Sequence, residues 1–354
     1  MDIQVYLYQS EMIGRYMGTF TFTFCCLGKK ITFNTWFYYS LCVNNHLNLY
    51  TMFQERHFFR GIIALIVALI GSCDQSEPVS VPRLWGNLNV DGQLRTYLLN
   101  LPPNYGEGNT FPLVVALHGT GGSAEQSERD YRLTSKSDMY NYVIVYPEGI
   151  PRPGPLKIRT WNAGECCDYA VANNIDDVEY IATLMDYLIK RYKIDPNKVF
   201  VTGMSNGAMM AYRLACELPR RIKAIAPVSG TLMTKLPCAS KSMPILHIHS
   251  ELDEVVPYNG GIGLGGYNFH SVDSTLRVMA DINRCPISPR IIEEYNDFTY
   301  RKWVCQDDIV IESYLTKDGG HSWPGGLKPR AAADEPSKAI DATQLIFDFF
   351  ETYN

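Results

Sequence analysis

The chain has 354 residues, 46% hydrophobic and 19% charged, enough apolar material for one large core. Its net charge of -5, with no basic cluster, argues against a nucleic-acid partner. No internal repeat is visible along it.

The first 51 residues differ from the rest, with 12 aromatic residues and neither alanine nor proline. Met52 opens a different pattern: Gln54-Glu55-Arg56-His57-Phe58-Phe59-Arg60, then an apolar run from Gly61 to Ile70, then Gly71-Ser72-Cys73. A basic stretch, a short apolar stretch and small residues before a cysteine resemble a bacterial lipoprotein signal, with Cys73 as the lipidated residue. The apolar run falls short of the roughly 20 residues a membrane span needs. The expected organisation is therefore an overextended reading frame over 1–51, a signal segment over 52–73, a polar tether over 74–83 and one domain over 84–354. A genuine N-terminal extension is the alternative for 1–51. Any contact with a membrane is expected only through the lipid anchor.

A strand pair is expected at Leu84 to Val90 and Gln93 to Leu101, then a buried strand at Pro112 to Leu117 from its unbroken apolar run. That strand ends in His118-Gly119-Thr120-Gly121-Gly122, whose glycines let backbone amides approach a substrate carbonyl. A helix, a strand at Tyr142 to Pro147 and a long loop follow. A helix at Val178 to Tyr192 comes next, and Asp176-Asp177 before it read as N-caps rather than catalytic groups.

Lys198 to Thr202 then reads as a β-branched and aromatic strand, running directly into Gly203-Met204-Ser205-Asn206-Gly207 and a helix-forming run from Ala208 to Leu218. A strand turning sharply into a helix strains its middle residue, and flanking glycines leave room for that turn. Ser205 is thereby the candidate nucleophile, with a helix N-terminus behind it to favour developing negative charge. The alternative is a plain glycine-rich turn. The oxyanion donors expected for such a serine are the amides of Asn206 and Thr120.

A serine needs a base and an orienting acid. Downstream stand His247, His249, His270 and His321. His247 and His249 lie two apart in the strand Pro244 to His249 and share a face. No third ligand is spaced near them, so a structural role is expected and no metal. His321 sits in the glycine-flanked loop Asp318 to Gly326 after a strand at Ile309 to Leu315, where it can swing over a sheet edge. Asp253, in the loop after His249, is the expected acid, with Glu251, Glu254 and Asp318 as competitors.

The remaining elements are a strand at Ala224 to Val228, a helix at Ser274 to Asn283 and a C-terminal helix at Ala339 to Thr352. Alternating strands and helices with an antiparallel start imply an α/β chain, a doubly wound sheet. Gly261-Ile262-Gly263-Leu264-Gly265-Gly266 matches a dinucleotide-binding pattern by letter. It follows a loop and opens no helix, so it is expected instead to form a mobile loop above the acid, and no cofactor is expected. Six cysteines, Cys166, Cys167, Cys216, Cys238, Cys285 and Cys305, allow three disulfides, with Cys285 and Cys305 a plausible pair. That usage fits an exported protein.

Together, His118-Gly119-Thr120-Gly121-Gly122, Trp161-Asn162-Ala163-Gly164 with Cys166-Cys167, Asp176-Asp177-Val178, Gly203 to Met210 and Gly320-His321-Ser322-Trp323-Pro324-Gly325 resemble one family. It is the secreted poly(3-hydroxybutyrate) depolymerase and feruloyl esterase family, close to carbohydrate esterase family one, and the likeness covers about residues 84 to 354. The resemblance implies an α/β-hydrolase fold, a mostly parallel sheet with helices on both faces, and a triad of Ser205, Asp253 and His321. Ser250-Glu251-Leu252 departs from the Gly-Thr-Ala that relatives carry there. The implied substrates are feruloyl or acetyl esters on plant polysaccharide, met outside the cell or at its envelope, with a polyester depolymerase as the alternative. A prolyl-oligopeptidase-type peptidase and a non-catalytic surface binding protein are more distant readings. Trp161, Tyr258 and Trp323 lie in loops expected to ring the serine and bind the substrate, or else pack beneath those loops.

Overall fold

The computed structural model describes residues 82–106, 110–235, 238 and 241–354, with the backbone of three strands nearer the N-terminus. The chain divides into two compact units, Met1–Val79 and Ser80–Asn354. In the first, β1 (Asp2–Gln9), β2 (Arg15–Cys26) and β3 (Lys29–Ser40) form an antiparallel meander. The expected signal segment with Cys73, and the tether up to residue 81, lie outside the described residues.

The second unit opens with the hairpin of β4 (Arg83–Val90) and β5 (Gln93–Asn100). Asp91 and Gly92 close it with φ of 49° and 75°, the left-handed pair that matches strand twist. There follow β6 (Phe111–Leu117), α1 (Ala124–Tyr131), α2 (Leu133–Tyr140), β7 (Val143–Pro147), and the two-residue strands β8 (Ile150–Pro151) and β9 (Arg159–Thr160). Next come α3 (Asp168–Ala172), α4 (Asp177–Arg191), β10 (Ile194–Met204), α5 (Asn206–Glu217), β11 (Ala224–Val228) and β12 (Ile245–Ser250). The chain ends with β13 (Gly261–Ile262), β14 (Asn268–Phe269), α6 (Val272–Ile282), β15 (Ile291–Glu294), β16 (Phe298–Val304), β17 (Val310–Thr316) and α7 (Ala342–Glu351).

Ten strands build one sheet in the order β15-β16-β17-β12-β11-β10-β6-β7-β5-β4. From β17 to β7 the neighbours are parallel, and two antiparallel strands flank each side. Every residue of β6, β7, β11 and β12 is buried, as both-face coverage requires. Leu113, Val115 and Leu117 point to one core with α4, α5 and α6, while Val114 and Ala116 point to the other with α1, α2 and α7. This is the α/β-hydrolase architecture expected.

β6 leads to β7 on one side, and the chain then returns past β6 to β10 on the other. The order therefore reverses between β6 and β10, and the crevice at their carboxyl ends is where such sheets bind ligands.

Candidate active site

Both central segments of the site leave the sheet at that reversal. β10 ends at Met204, and Ser205 adopts φ 57°, ψ -123° before α5 begins. A non-glycine residue held there stores about 1–3 kcal/mol of backbone strain. The turn closes because its flanks have no Cβ: one on Gly207 would lie 2.4 Å from the Leu117 carbonyl oxygen. Ser205 N donates to Val228 O at 2.9 Å, and its carbonyl accepts from Met209 N at 3.0 Å.

The loop after β6 lies against this turn. A Cβ on Gly119 would stand 3.3 Å from Ser205 Cβ. Gly122 N donates to Gly119 O, Gly121 N donates to Arg159 O, and the exposed Thr120 sits between them. Asn206 is the first residue of α5, where amides have no acceptor within the helix. His118, fully buried, accepts from Gly149 N at 2.9 Å through Nε2 and bonds Gly119 O at 2.7 Å through Nδ1. Because the amide can only donate and the carbonyl only accept, the ring is neutral with its proton on Nδ1. Burial pushes its pKa down to about 4.

The acid and base come together across the loops after β12 and β17. His321 Nδ1 donates to Asp253 Oδ2 at 2.8 Å, an ionised carboxylate being able only to accept. With Nδ1 so engaged, Nε2 is the ring nitrogen left for a substrate or nucleophile. Asp253 Oδ1 accepts from Val255 N at 2.9 Å and Val256 N at 2.8 Å. Burial raises this carboxyl, but His321, His249 and the Val256 amide outweigh it and hold it below its ordinary value. The competing acids are placed elsewhere: Asp318 accepts from Lys338 N and Ser337, and Glu251 and Glu254 are exposed.

Asp334 receives His321 N at 2.7 Å and so fixes the base's backbone. The base loop touches the serine turn through Ser229, which donates to Ser322 O at 3.2 Å, and through Gly230, where a Cβ would meet Ser205 O at 2.5 Å. Among the described residues Ser205 Oγ makes no hydrogen bond, as is common before a substrate tightens such a site. A cavity of about 420 Å³ beside the base is lined by Leu252, Glu254, Val255, Gly319, Gly320, Asp334 and Glu335.

Two of the three aromatic residues expected at the rim belong to the core. Trp161 is fully buried, donating Nε1–H to His118 O at 2.9 Å and stacked with Tyr180. Trp323, 2% exposed, stacks on Tyr131 at 4.2 Å and donates to Thr343 Oγ1 at 2.9 Å. Each indole satisfies its N–H internally, which is what allows burial. Tyr258 is half-buried, with its hydroxyl 3.3 Å from both oxygens of Asp273.

Asp176 caps α4, accepting from Glu179 N, whereas Asp177 does more than start a helix. It is fully buried, paired with Arg95 at 2.6 Å, and accepts Asn162 N at 2.7 Å. The glycine-rich loop is pinned beside the acid, Leu264 N donating to Val255 O at 3.0 Å. Disulfides join Cys285 to Cys305, as expected, Cys216 to Cys238, and Cys166 to Cys167. His247 bonds Tyr212 at 2.8 Å, and among the described residues no three His, Cys, Asp or Glu are grouped to hold a metal. The side chains of Asn206 and Arg95 carry no motif signal for these roles, which arise from contacts distant in sequence.

Residues 95–270 match the family described as Esterase PHB depolymerase, a span holding Ser205 and Asp253 but not His321. "Probable feruloyl esterase C" of Aspergillus terreus is 30% identical over 246 residues, 67% of this chain and 78% of that protein. Feruloyl esterase B of Piromyces equi is 26% identical over 64% of the chain and 42% of its own length. The bifunctional acetylxylan esterase/xylanase XynS20E of Neocallimastix patriciarum is 24% identical over 63% and 30%. The chain thus spans less than half the length of these last two. An S-formylglutathione hydrolase from Agrobacterium tumefaciens superposes with a TM-score of 0.51 at 11% identity, covering 78% of this chain and 97% of that one, which bears on the fold alone. With that sheet and these relatives, the chain belongs to the PHB depolymerase and feruloyl esterase family of α/β-hydrolase ester hydrolases.

Proposed function

We propose that Ser205, His321 and Asp253 hydrolyse carboxylic esters through an acyl-serine. The observation that carries this is the 2.8 Å bond from His321 Nδ1 to a buried carboxylate, which leaves Nε2 free to take a proton. Ser205 Oγ attacks the ester carbonyl as His321 Nε2 removes its proton, and the amides of Asn206 and Thr120 hold the oxyanion. His321 then returns the proton to the departing alcohol. Water repeats the sequence on the acyl-serine, and Asp253 stabilises the imidazolium each time.

Feruloyl or acetyl esters on plant polysaccharide are the proposed substrates, on the strength of the names its relatives carry. Three disulfides support action in an oxidising compartment outside the cytosol, and lipidation of Cys73 would tether the enzyme there. Ser205→Ala is expected to fold normally and to lose about 10⁴-fold or more in kcat. Wild-type turnover in that variant overturns the assignment. Rates on methyl ferulate, acetylated xylan and a 3-hydroxybutyrate oligomer test the substrate class, and cleavage of the oligomer alone would replace it with a polyester. Mass spectrometry of membrane-fraction protein tests the lipid on Cys73.

A further inference from the structure

A second imidazole stands behind the acid. His249, in β12, is fully buried, and its Nε2 lies 2.9 Å from Val256 O and 3.4 Å from Asp253 Oδ2, the oxygen that holds His321. The carbonyl can only accept, so Nε2 carries a proton and His249 donates to Val256 O. Val256 in turn donates its own amide to Asp253 Oδ1. Asp253 and His249 thereby grip the two sides of one peptide segment, residues 253–256, from the loop and from the sheet.

His249 is itself fixed. Its ring stacks on His247 at 5.4 Å and 10°, and His247 is bonded to Tyr212, a residue of the helix that Ser205 starts. Burial lowers the pKa of both imidazoles, which keeps the donor neutral and leaves Asp253 the only charge in that contact.

We propose that His249 is a positioning residue: by tying Val256 O to the sheet it keeps the Asp253 carboxylate aimed at His321. The inference rests on the esterase reading of the site. Without the donor, Val256 O would be buried and unpaired, and the acid's turn would shift to satisfy it. A displacement near 1 Å in such a relay is enough to cost about 100-fold in rate.

His249→Phe keeps a planar ring without a donor, and His249→Gln places an amide N–H close to where Nε2 stands. Turnover of 4-nitrophenyl acetate should fall about tenfold or more in His249→Phe with KM within about twofold, and largely recover in His249→Gln. The low-field proton resonance of the His321–Asp253 bond should shift or broaden in the Phe variant and return in the Gln variant. If His249→Phe does not fold, His249→Asn, whose amide is too short to reach Val256 O, takes its place. Wild-type kcat in the donorless variant, or equal loss in the Gln variant with the resonance unmoved, overturns the proposal. Wild-type protein that neither turns over ester nor reacts at Ser205 with a fluorophosphonate would instead overturn the esterase reading, with the resonance still reporting on His249.

Discussion

Asn206 grips the backbone of Trp161 from both sides, accepting Trp161 N at 2.7 Å and donating to Trp161 O at 3.0 Å. The residue after the candidate nucleophile is thus locked by its side chain while its amide stays at the open end of α5. The clamp continues outward, since Asn162 N donates to Asp177 and Asp177 pairs with Arg95. A buried polar chain therefore anchors the oxyanion side of the site to the hairpin strand β5.

Asn206→Asp should break one arm of the clamp. The carboxylate keeps the shape and still accepts from Trp161 N, but its second oxygen faces the Trp161 carbonyl with no proton between them. The loop and the α5 terminus should separate slightly, lowering kcat by about 10- to 100-fold with little change in KM. Steady-state kinetics on a soluble ester measure it, and an unchanged kcat would show that the clamp does not position the amide.

Asp177→Ala tests the next link. Arg95 is 3% exposed, and its guanidinium lies 3.9 Å from the Tyr180 ring centre, so losing its carboxylate strands a charge in the core. Breaking such a pair costs about 3–5 kcal/mol. The urea midpoint should fall accordingly, and kcat should drop as well because Asn162 N loses its acceptor. A loss under about 1 kcal/mol would mean that water reaches Arg95 readily.

The parts of this site set by local backbone demands were readable in the chain. Gly203 and Gly207 are fixed by close contact across the turn, and Asp253 stands out from Glu251, Glu254 and Asp318 by its place in the loop after a strand. Trp161 and Trp323 take the packed alternative, a choice the sequence leaves open because hydrophobicity does not distinguish a loop that faces solvent from one drawn inward. What draws Trp161 inward is a pair of hydrogen bonds to Asn206, 45 residues away. β15 escaped notice for a related reason: three of the four residues of Ile291–Glu294 are exposed, so an edge strand with no buried face carries no alternation to detect. His249 read as a structural strand residue, and its link to the acid depends on how the 253–256 turn folds back.

Removal of the Cys285–Cys305 bridge should separate stability from chemistry. The bridge spans 20 positions and closes α6, β15 and β16 into one unit at the sheet edge. Loop-closure entropy puts its contribution at about 3 kcal/mol. The double variant Cys285→Ser, Cys305→Ser should unfold at lower urea with kcat nearly unchanged, since β17, between this edge and β12, keeps its parallel partner. A large loss of kcat with an unmoved midpoint would reverse the expectation.

Acid sensitivity should reside partly in His118. Its pKa is about 4 when folded, against 6.5 when free, because burial disfavours the charged ring. Between those values the unfolded chain binds the extra proton and the folded chain does not, so stability rises with pH. The neutral ring's full contribution is present above pH 6.5 and is lost as pH falls towards 4, a span worth about 3 kcal/mol. His118→Gln cannot titrate, so its unfolding free energy should fall less steeply across that window than the wild type's. His247 and His249, also lowered by burial, remain in both proteins and set a common background slope. Urea unfolding at half-unit pH steps measures the difference, and parallel curves would place the acid-labile proton elsewhere.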